Sequence, residues 1–376
     1  MTIDWFTGIL VRMNLLEHKL SRRDFLKLAG LSLGTLALNP FRRVLPLLEF
    51  PAAERLGRNC TGGKIDIKTR PDRSSATVKS IYEDTLLPWL REVTADNLDR
   101  NRLIQRWVET PEGYVYAPYL QPVRNQPNQP LTAMPEGMTG FWAEVTVPYV
   151  DIYLDNPPPR SPSLRHLLDS GLPVRLYYSQ VMWIDQIKTG DSGQIAYRVN
   201  ERYGSYGDIF WADAAAFRPL TEDEIAPIAP EMDPAEKSIT INVTNQTLSC
   251  FEGNREVYFC RVSTGGRGLE TPLGEFSLWR KTISVRMAVG TIEAGYDTPG
   301  VSWVTYFIGS GVAIHATFWH NEYGFARSHG CVNCKPEDAK WIFRWTTPVV
   351  PLEPGDVTWT DWRSGSTRVK VEQRLW

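Results

Sequence analysis

His315-Ala316-Thr317-Phe318-Trp319-His320 and, after seven further residues, Ser328-His329-Gly330-Cys331-Val332-Asn333 form the stretch from which the rest of the chain is read. Three of the five histidines lie in it, and two of the five cysteines, Cys331 and Cys334, stand at its end. A thiol near neutral pH needs a base to become a nucleophile, and imidazole titrates in the right range. The same residues allow a second chemistry. Cys331 and Cys334 make a Cys-x-x-Cys, and His315, His320 or His329 would complete a zinc site. The zinc reading leaves Ser328-His329-Gly330 without a purpose.

Working outward, Gly311-Val312-Ala313-Ile314-His315 reads as a buried strand that ends on His315. After Cys331 a helix is expected, with Pro336 at its first position and Glu337 and Asp338 in its first turn. Ala339, Ile342 and Trp345 form its apolar stripe. Cys331 therefore sits on a loop before a helix N-terminus. His329 lies two residues before Cys331, so in an extended loop both side chains point the same way. The residues alone leave both His315 and His329 able to take the thiol proton. Further upstream, Ser238 to Val243 alternates as a half-buried strand, and Gly253-Asn254 marks a hairpin turn. Val262-Ser263-Thr264-Gly265-Gly266 and Thr271-Pro272-Leu273-Gly274-Glu275-Phe276 each read as a turn with a strand.

Together these segments resemble the L,D-transpeptidase family, with its YkuD-type catalytic domain. The family carries an upstream His, a spacer, then Ser/Thr-His-Gly-Cys, an apolar residue and Asn or Arg. Here those are His315, the 12 residues 316–327, Ser328 to Cys331, Val332 and Asn333. The Ser-Thr-Gly strand end and the Thr-Pro-x-Gly-x-Phe turn match as well, and the likeness covers about 237–360. The resemblance implies that Cys331 is the nucleophile and His315 the general base and acid, its second ring nitrogen held by the Ala316 carbonyl. His329 is then a pocket residue or alternative base. The Gly330 and Cys331 backbone N–H groups would form an oxyanion hole, worth roughly 3 kcal/mol in the transition state. Ser328 and Asn333 fix the loop. Trp319, Tyr323 and Phe325 fall in the spacer, as a lid or substrate wall or as core. His320 reads as a surface histidine. The implied partner is a peptidoglycan stem peptide, and no metal or other cofactor is implied.

The N-terminal half has a different character. Ser21-Arg22-Arg23-Asp24-Phe25-Leu26-Lys27, followed by the apolar run Leu28 to Leu38, matches a twin-arginine export signal, and the run is too short to be a membrane span. Without a clean cleavage site, the segment is expected to stay as an anchor. Translation from Met13 would give a leader of more usual length. Lys64 to Pro71, Arg106 to Glu109 and Gly113 to Leu120 resemble a bacterial SH3-like domain. A weaker second copy follows, with Tyr197 to Asn200 echoing Arg106 to Glu109, and Asp208 to Leu220 echoing Gly113 to Val123. Pro122 to Pro135 and Asn156 to Pro162 read as turn or linker, and Ser163 to Leu168 as a helix. Thr221 to Glu236, rich in proline and acid, reads as a solvated connector between independently folded units.

The expected fold is thus mainly β: two small SH3-like barrels, then an L,D-transpeptidase-type β-sandwich with a short helix after the nucleophile. The expected boundaries are 1–50 for the signal or anchor, 61–124 and 138–220 for the modules, and 221–236 for the linker. The catalytic domain takes 237–360 and a tail 361–376. Over 376 residues, 42% hydrophobic and 22% charged residues fit folded domains, and a net charge of −2 gives no ground for a nucleic-acid partner. The cysteines are too odd in number and too widely spaced for a disulfide framework. A two-residue turn at Gly253-Asn254 would set Cys250 opposite Val257 and put Cys260 on the other sheet face.

Overall fold

The computed structural model describes residues 46–100, 102–191, 193–290, 296–359 and 365–374. The twin-arginine stretch and the Met13 start lie outside the described residues. Among the described residues the protein is mainly β, with five sheets and few helices.

The first module begins earlier than residue 61. Leu56–Asn59 is the middle strand of a three-stranded sheet, between Leu86–Pro88 and Leu120–Val123. A five-stranded sheet runs Thr77–Ile81, Ile65–Lys68, Gly113–Tyr116, Arg106–Thr110, Arg91–Thr94. Between them Ile65, Ile67, Leu87, Trp89, Val108, Val115 and Leu120 form one small core. The second module is a seven-stranded sheet that includes Phe141–Val145, Tyr149–Leu154, Val181–Thr189, Ile195–Asn200 and Ile209–Asp213. Its helix, Pro162–Asp169, falls where expected, capped by the Ser161 side chain on the Leu164 N–H. Both modules end alike. A 3-10 turn, Ala117–Tyr119 or Ala214–Ala216, leads into a short last strand, Leu120–Val123 or Phe217–Pro219.

The C-terminal part, from Lys237 on, has two sheets among the described residues. One runs Arg255–Arg261, Thr247–Glu252, Lys237–Asn242, Arg368–Glu372, Gly274–Ser277; the other runs Val332–Cys334, Ala313–Ala316, Tyr296–Tyr306, Arg280–Val289, Asp356–Thr358. Ile239, Ile241, Leu248 and Val371 from the first and Ile283, Trp303, Ile314 and Val332 from the second share one core with the helix Pro336–Trp345. Ala339, Ile342 and Trp345 are buried on that helix, as its spacing requires. Its C-terminal carbonyls are taken by two buried lysines. Lys281 Nζ donates to the carbonyls of Phe343, Thr346 and Pro348 at 2.6–2.7 Å, and Lys237 Nζ to that of Trp345 at 2.9 Å.

Three expectations change. The stretch 361–376 is no tail, because Arg368–Glu372 pairs in parallel with Lys237–Asn242 and antiparallel with Gly274–Ser277, inside the sheet. Its alternation, with Val369 and Val371 buried, is that of a strand with one face in the core. Thr221 to Glu236 is no loose connector. Glu222–Ile225 is a helical turn, Ile225 enters the shared core, and Glu224 pairs with Arg218 and Lys340. Trp142, Val181 and Trp183 of the second module join that core too, so the module and the C-terminal part are not independent units. Finally, a bulge between Cys250 and Phe251 sets Cys250 opposite Tyr258 and Leu248 opposite Cys260. The extra residue brings Cys260 to the same face as Cys250. Both are free thiols in the core, as is Cys334.

Candidate active site

The short strand Val332–Cys334 pairs in parallel with Ala313–Ala316, Ile314 facing Val332 and His315 facing Asn333. Side chains alternate along a strand, so Cys331, two residues before Asn333, lies on the same face as His315 and diagonal to it. Residues far apart in sequence thus bring thiol and imidazole to one cavity of about 240 Å³, lined also by Met287, Tyr296, Thr298 and Trp319. Cys334 has the opposite parity and points into the core. Cys331 and Cys334 therefore cannot hold one ion, and among the described residues no group of three His, Cys, Asp or Glu side chains converges for a metal. The geometry goes against the zinc reading.

His315 is buried, and its Nδ1 lies 2.9 Å from the Ala316 carbonyl. A carbonyl only accepts, so Nδ1 carries the proton and Nε2 keeps its lone pair. Burial pushes the imidazole down to about 4, against the smaller opposite pull of that carbonyl. Cys331 is enclosed by protein on most sides yet opens on the cavity. Burial raises its thiol above the usual value, while the Ala313 backbone amide works the other way. Both shifts disfavour the charged forms, so the resting pair is thiol and neutral imidazole. The Sγ also lies 3.9 Å from the Gly311 carbonyl.

The Cys331 loop is held by the two upstream segments read from the sequence as a turn with a strand. Ser263 and Asn333 exchange two backbone hydrogen bonds at 2.9 Å, and the Arg327 and Ser328 amides both donate to the Thr264 carbonyl. The Gly266 amide donates to the Ser328 carbonyl at 2.9 Å. Thr271 is buried, and its hydroxyl takes the Gly265 N–H at 2.9 Å and donates to the Gly330 carbonyl at 2.8 Å. Inside the loop, Ser328 Oγ donates to the Cys331 carbonyl and accepts from the Gly330 N–H at 3.2 Å. Ser328 fixes the loop, as expected. The Gly330 N–H, expected in the oxyanion hole, is instead turned to Ser328, which leaves the Cys331 N–H as the candidate donor. Gly330 has φ +112, a backbone that favours glycine.

The helix N-terminus stands one short strand away from the thiol in the chain. Val332–Cys334 and Lys335 intervene before Pro336, and the dipole effect fades within a turn. His329 is exposed at the cavity rim, its ring 5.2 Å from that of Tyr296. Of Trp319, Tyr323 and Phe325, Trp319 alone lines the cavity, its ring 5.9 Å from that of His315. Tyr323 is buried and its hydroxyl donates to the carbonyls of Thr317 and Cys334, so it is core. Phe325 is 49% exposed and outside the cavity lining. His320 is not a surface histidine. It is buried, accepts the Glu322 N–H on Nδ1, and sets Nε2 2.8 Å from the Asn333 side-chain amide. Asn333 therefore links His320 to the strand that follows Cys331. Met287, Tyr296 and Thr298 come from the two long strands, and no local sequence signal marks them.

Over 99 residues the chain is 33% identical to L,D-transpeptidase 1 of Mycobacterium tuberculosis (strain ATCC 25618 / H37Rv), which covers 24% of this chain and 39% of that protein. The chain thus spans about two fifths of the length of the curated relatives it matches. Among solved structures, the L,D-transpeptidase from Mycobacterium smegmatis aligns at 14% identity over 47% of this chain and 90% of that one, with a TM-score of 0.30. The catalytic domain from the E. faecium L,D-transpeptidase acylated by ertapenem aligns at 23% identity over 36% and 97%, with a TM-score of 0.28. Residues 236–371, which hold His315, Cys331 and the loop around them, match the family model of YkuD, the L,D-transpeptidase catalytic domain.

Proposed function

We propose that this protein is a peptidoglycan L,D-transpeptidase with Cys331 as nucleophile. The observation that carries the reading is His315, whose Nδ1–H is fixed on the Ala316 carbonyl so that Nε2 is free on the face it shares with Cys331. In the first half-reaction Nε2 takes the thiol proton as the sulfur attacks the third-residue carbonyl of a stem tetrapeptide. The Cys331 N–H offers a hydrogen bond to the oxygen. Collapse gives that proton to the leaving amine, D-Ala departs, and a thioester remains. In the second half-reaction an amine of another stem attacks the thioester, Nε2 takes its proton, and the thiol is restored as the new amide forms. Water in place of the amine would make the enzyme an L,D-carboxypeptidase.

The two N-terminal modules are SH3-like units that orient the enzyme on the wall, and the twin-arginine segment exports the chain and tethers it outside the cytoplasm. Their similar strand, 3-10 turn and strand endings support a repeat. Mass spectrometry after exposure to muropeptides or meropenem tests the proposal. The wild type is expected to gain a covalent adduct and Cys331→Ala none; an adduct on Cys331→Ala would overturn it. A wall-binding protein without activity predicts no adduct on either.

A further inference from the structure

Arg58 belongs to the first module, is 2% exposed, and spends its whole guanidinium on partners from different parts of the chain. Its Nε donates to Gln121 Oε1 at 2.9 Å and one terminal nitrogen to Asp84 at 2.7 Å. The other donates at 2.9 Å to the Phe318 carbonyl, 260 residues away in the loop that follows His315. The guanidinium also lies 4.1 Å from the Tyr177 ring centroid, and Tyr177 stacks on Phe318. Asp84, at φ 62, shares its carboxylate between Arg58 and Arg175 of the second module. A second tether lies three residues beyond Phe318, where Asn321 Nδ2 donates to the Ala117 carbonyl of the first module at 3.2 Å.

Between those two tethers lie only Trp319 and His320. Trp319 faces His315 and separates the Cys331 cavity from a second cavity of about 240 Å³ against the second module, lining both. His320 holds Asn333. Burying a charge pair yields little net stability compared with apolar packing, and its better-attested use is to fix one arrangement. A planar guanidinium with three simultaneous acceptors defines a direction that a lysine ammonium cannot copy. We propose that Arg58, with Asn321, is a positioning residue of the active site. The first module clamps the 316–327 loop and sets the Trp319 wall against which a stem peptide lies. The module is then part of the catalytic apparatus as well as a wall-facing unit.

This inference rests on the proposed transpeptidase reading for its activity arm only. The test compares full-length wild type, Arg58→Ala, Arg58→Lys and Asn321→Ala by three measurements. These are amide hydrogen exchange of 316–327, alkylation of Cys331 by iodoacetamide, and turnover of a stem tetrapeptide. In folded Arg58→Ala, exchange of the segment is expected to rise and kcat/KM for the peptide to fall about 100-fold, the size of loss that a 1 Å misplacement brings. Alkylation of Cys331 should hold, since the thiol and His315 are untouched. Arg58→Lys should recover a minor part of turnover, and Asn321→Ala should show the same pattern more weakly even if Arg58→Ala does not fold. Exchange unchanged in a folded variant, or alkylation falling in step with turnover, would overturn the clamp. A wild type with no peptide turnover would overturn the transpeptidase reading instead, while exchange still decides the clamp.

Discussion

Thr271 offers the sharpest test of how the Cys331 loop is held. Its hydroxyl is the partner of two buried backbone groups, the Gly265 N–H and the Gly330 carbonyl, at 2.9 and 2.8 Å. Valine has the same shape without the hydroxyl, so Thr271→Val keeps the packing and orphans both groups. A buried polar group left without its partner costs about 1–3 kcal/mol, so two such losses come to about 2–6 kcal/mol. Thr271→Ser keeps the hydroxyl and removes one methyl, a loss of about 1 kcal/mol. The expected order of stability is therefore Thr, then Ser, then Val. Urea unfolding followed by two probes, with the slope checked for constancy, measures it. Because Gly330 precedes Cys331, alkylation of the thiol should also slow in Val and hold in Ser. A valine variant as stable as the serine variant would mean that the loop finds other partners and that the buttress is not where its strength lies.

The thiol and imidazole make a second prediction. With the Cys331 thiol raised and His315 lowered to about 4, iodoacetamide alkylation should climb through the alkaline range with no neutral plateau; a plateau below pH 7 would mean a resting thiolate–imidazolium pair. His315 holds fewer protons folded than unfolded between about pH 4 and pH 6.5, so its contribution to stability is present above pH 6.5 and is lost as pH falls toward 4. Acid unfolding of His315→Asn should be less steep in that window, and an equally steep curve would refute the assignment. Lys281→Met should destabilise the fold by on the order of 3 kcal/mol, because three carbonyls lose one buried donor; an unfolding curve that shifts to higher urea would contradict this. Gly330→Ala should cost about 1–2 kcal/mol through its positive φ, since the nearest atoms stand 3.8 Å from the added carbon and no clash arises. A variant equal to wild type in thermal unfolding would show that the loop relaxes.

How much of this was legible depended on whether the signal was local. Scarce residue types carrying chemistry mark themselves, so Cys331, His315 and the Ser328-to-Asn333 run stand out in the chain. Pro336 and the Ala339, Ile342, Trp345 spacing mark the helix for the same reason, because capping and periodicity act within a few residues. His320 carries no such mark. Its burial depends on a parallel pairing of Val332–Cys334 with Ala313–Ala316, and only that pairing brings Asn333 to it. Cys260 changed faces because of one extra residue in a ladder, which no alternation count reveals. Arg368–Glu372 lies in the stretch expected as a tail, because its parallel partner is over a hundred residues upstream and nothing beside it in the chain points to a sheet.

Arg58 is the extreme case. Arginine in a short strand reads as a solvated charge, since arginine is rarely fully buried unless paired. Its partners are an aspartate in a left-handed turn, a glutamine from the last strand of its own module and a backbone carbonyl of a loop in the C-terminal part. None of the three is recognisable as a partner from its own surroundings, because each becomes one only when three separately folded segments meet. The thiol–imidazole pair is therefore readable from chemistry, whereas the groups that hold its surroundings are not. Substitutions at positions such as Arg58 and Thr271, where no motif advertises the role, discriminate best between a site that is merely present and one that is held in place.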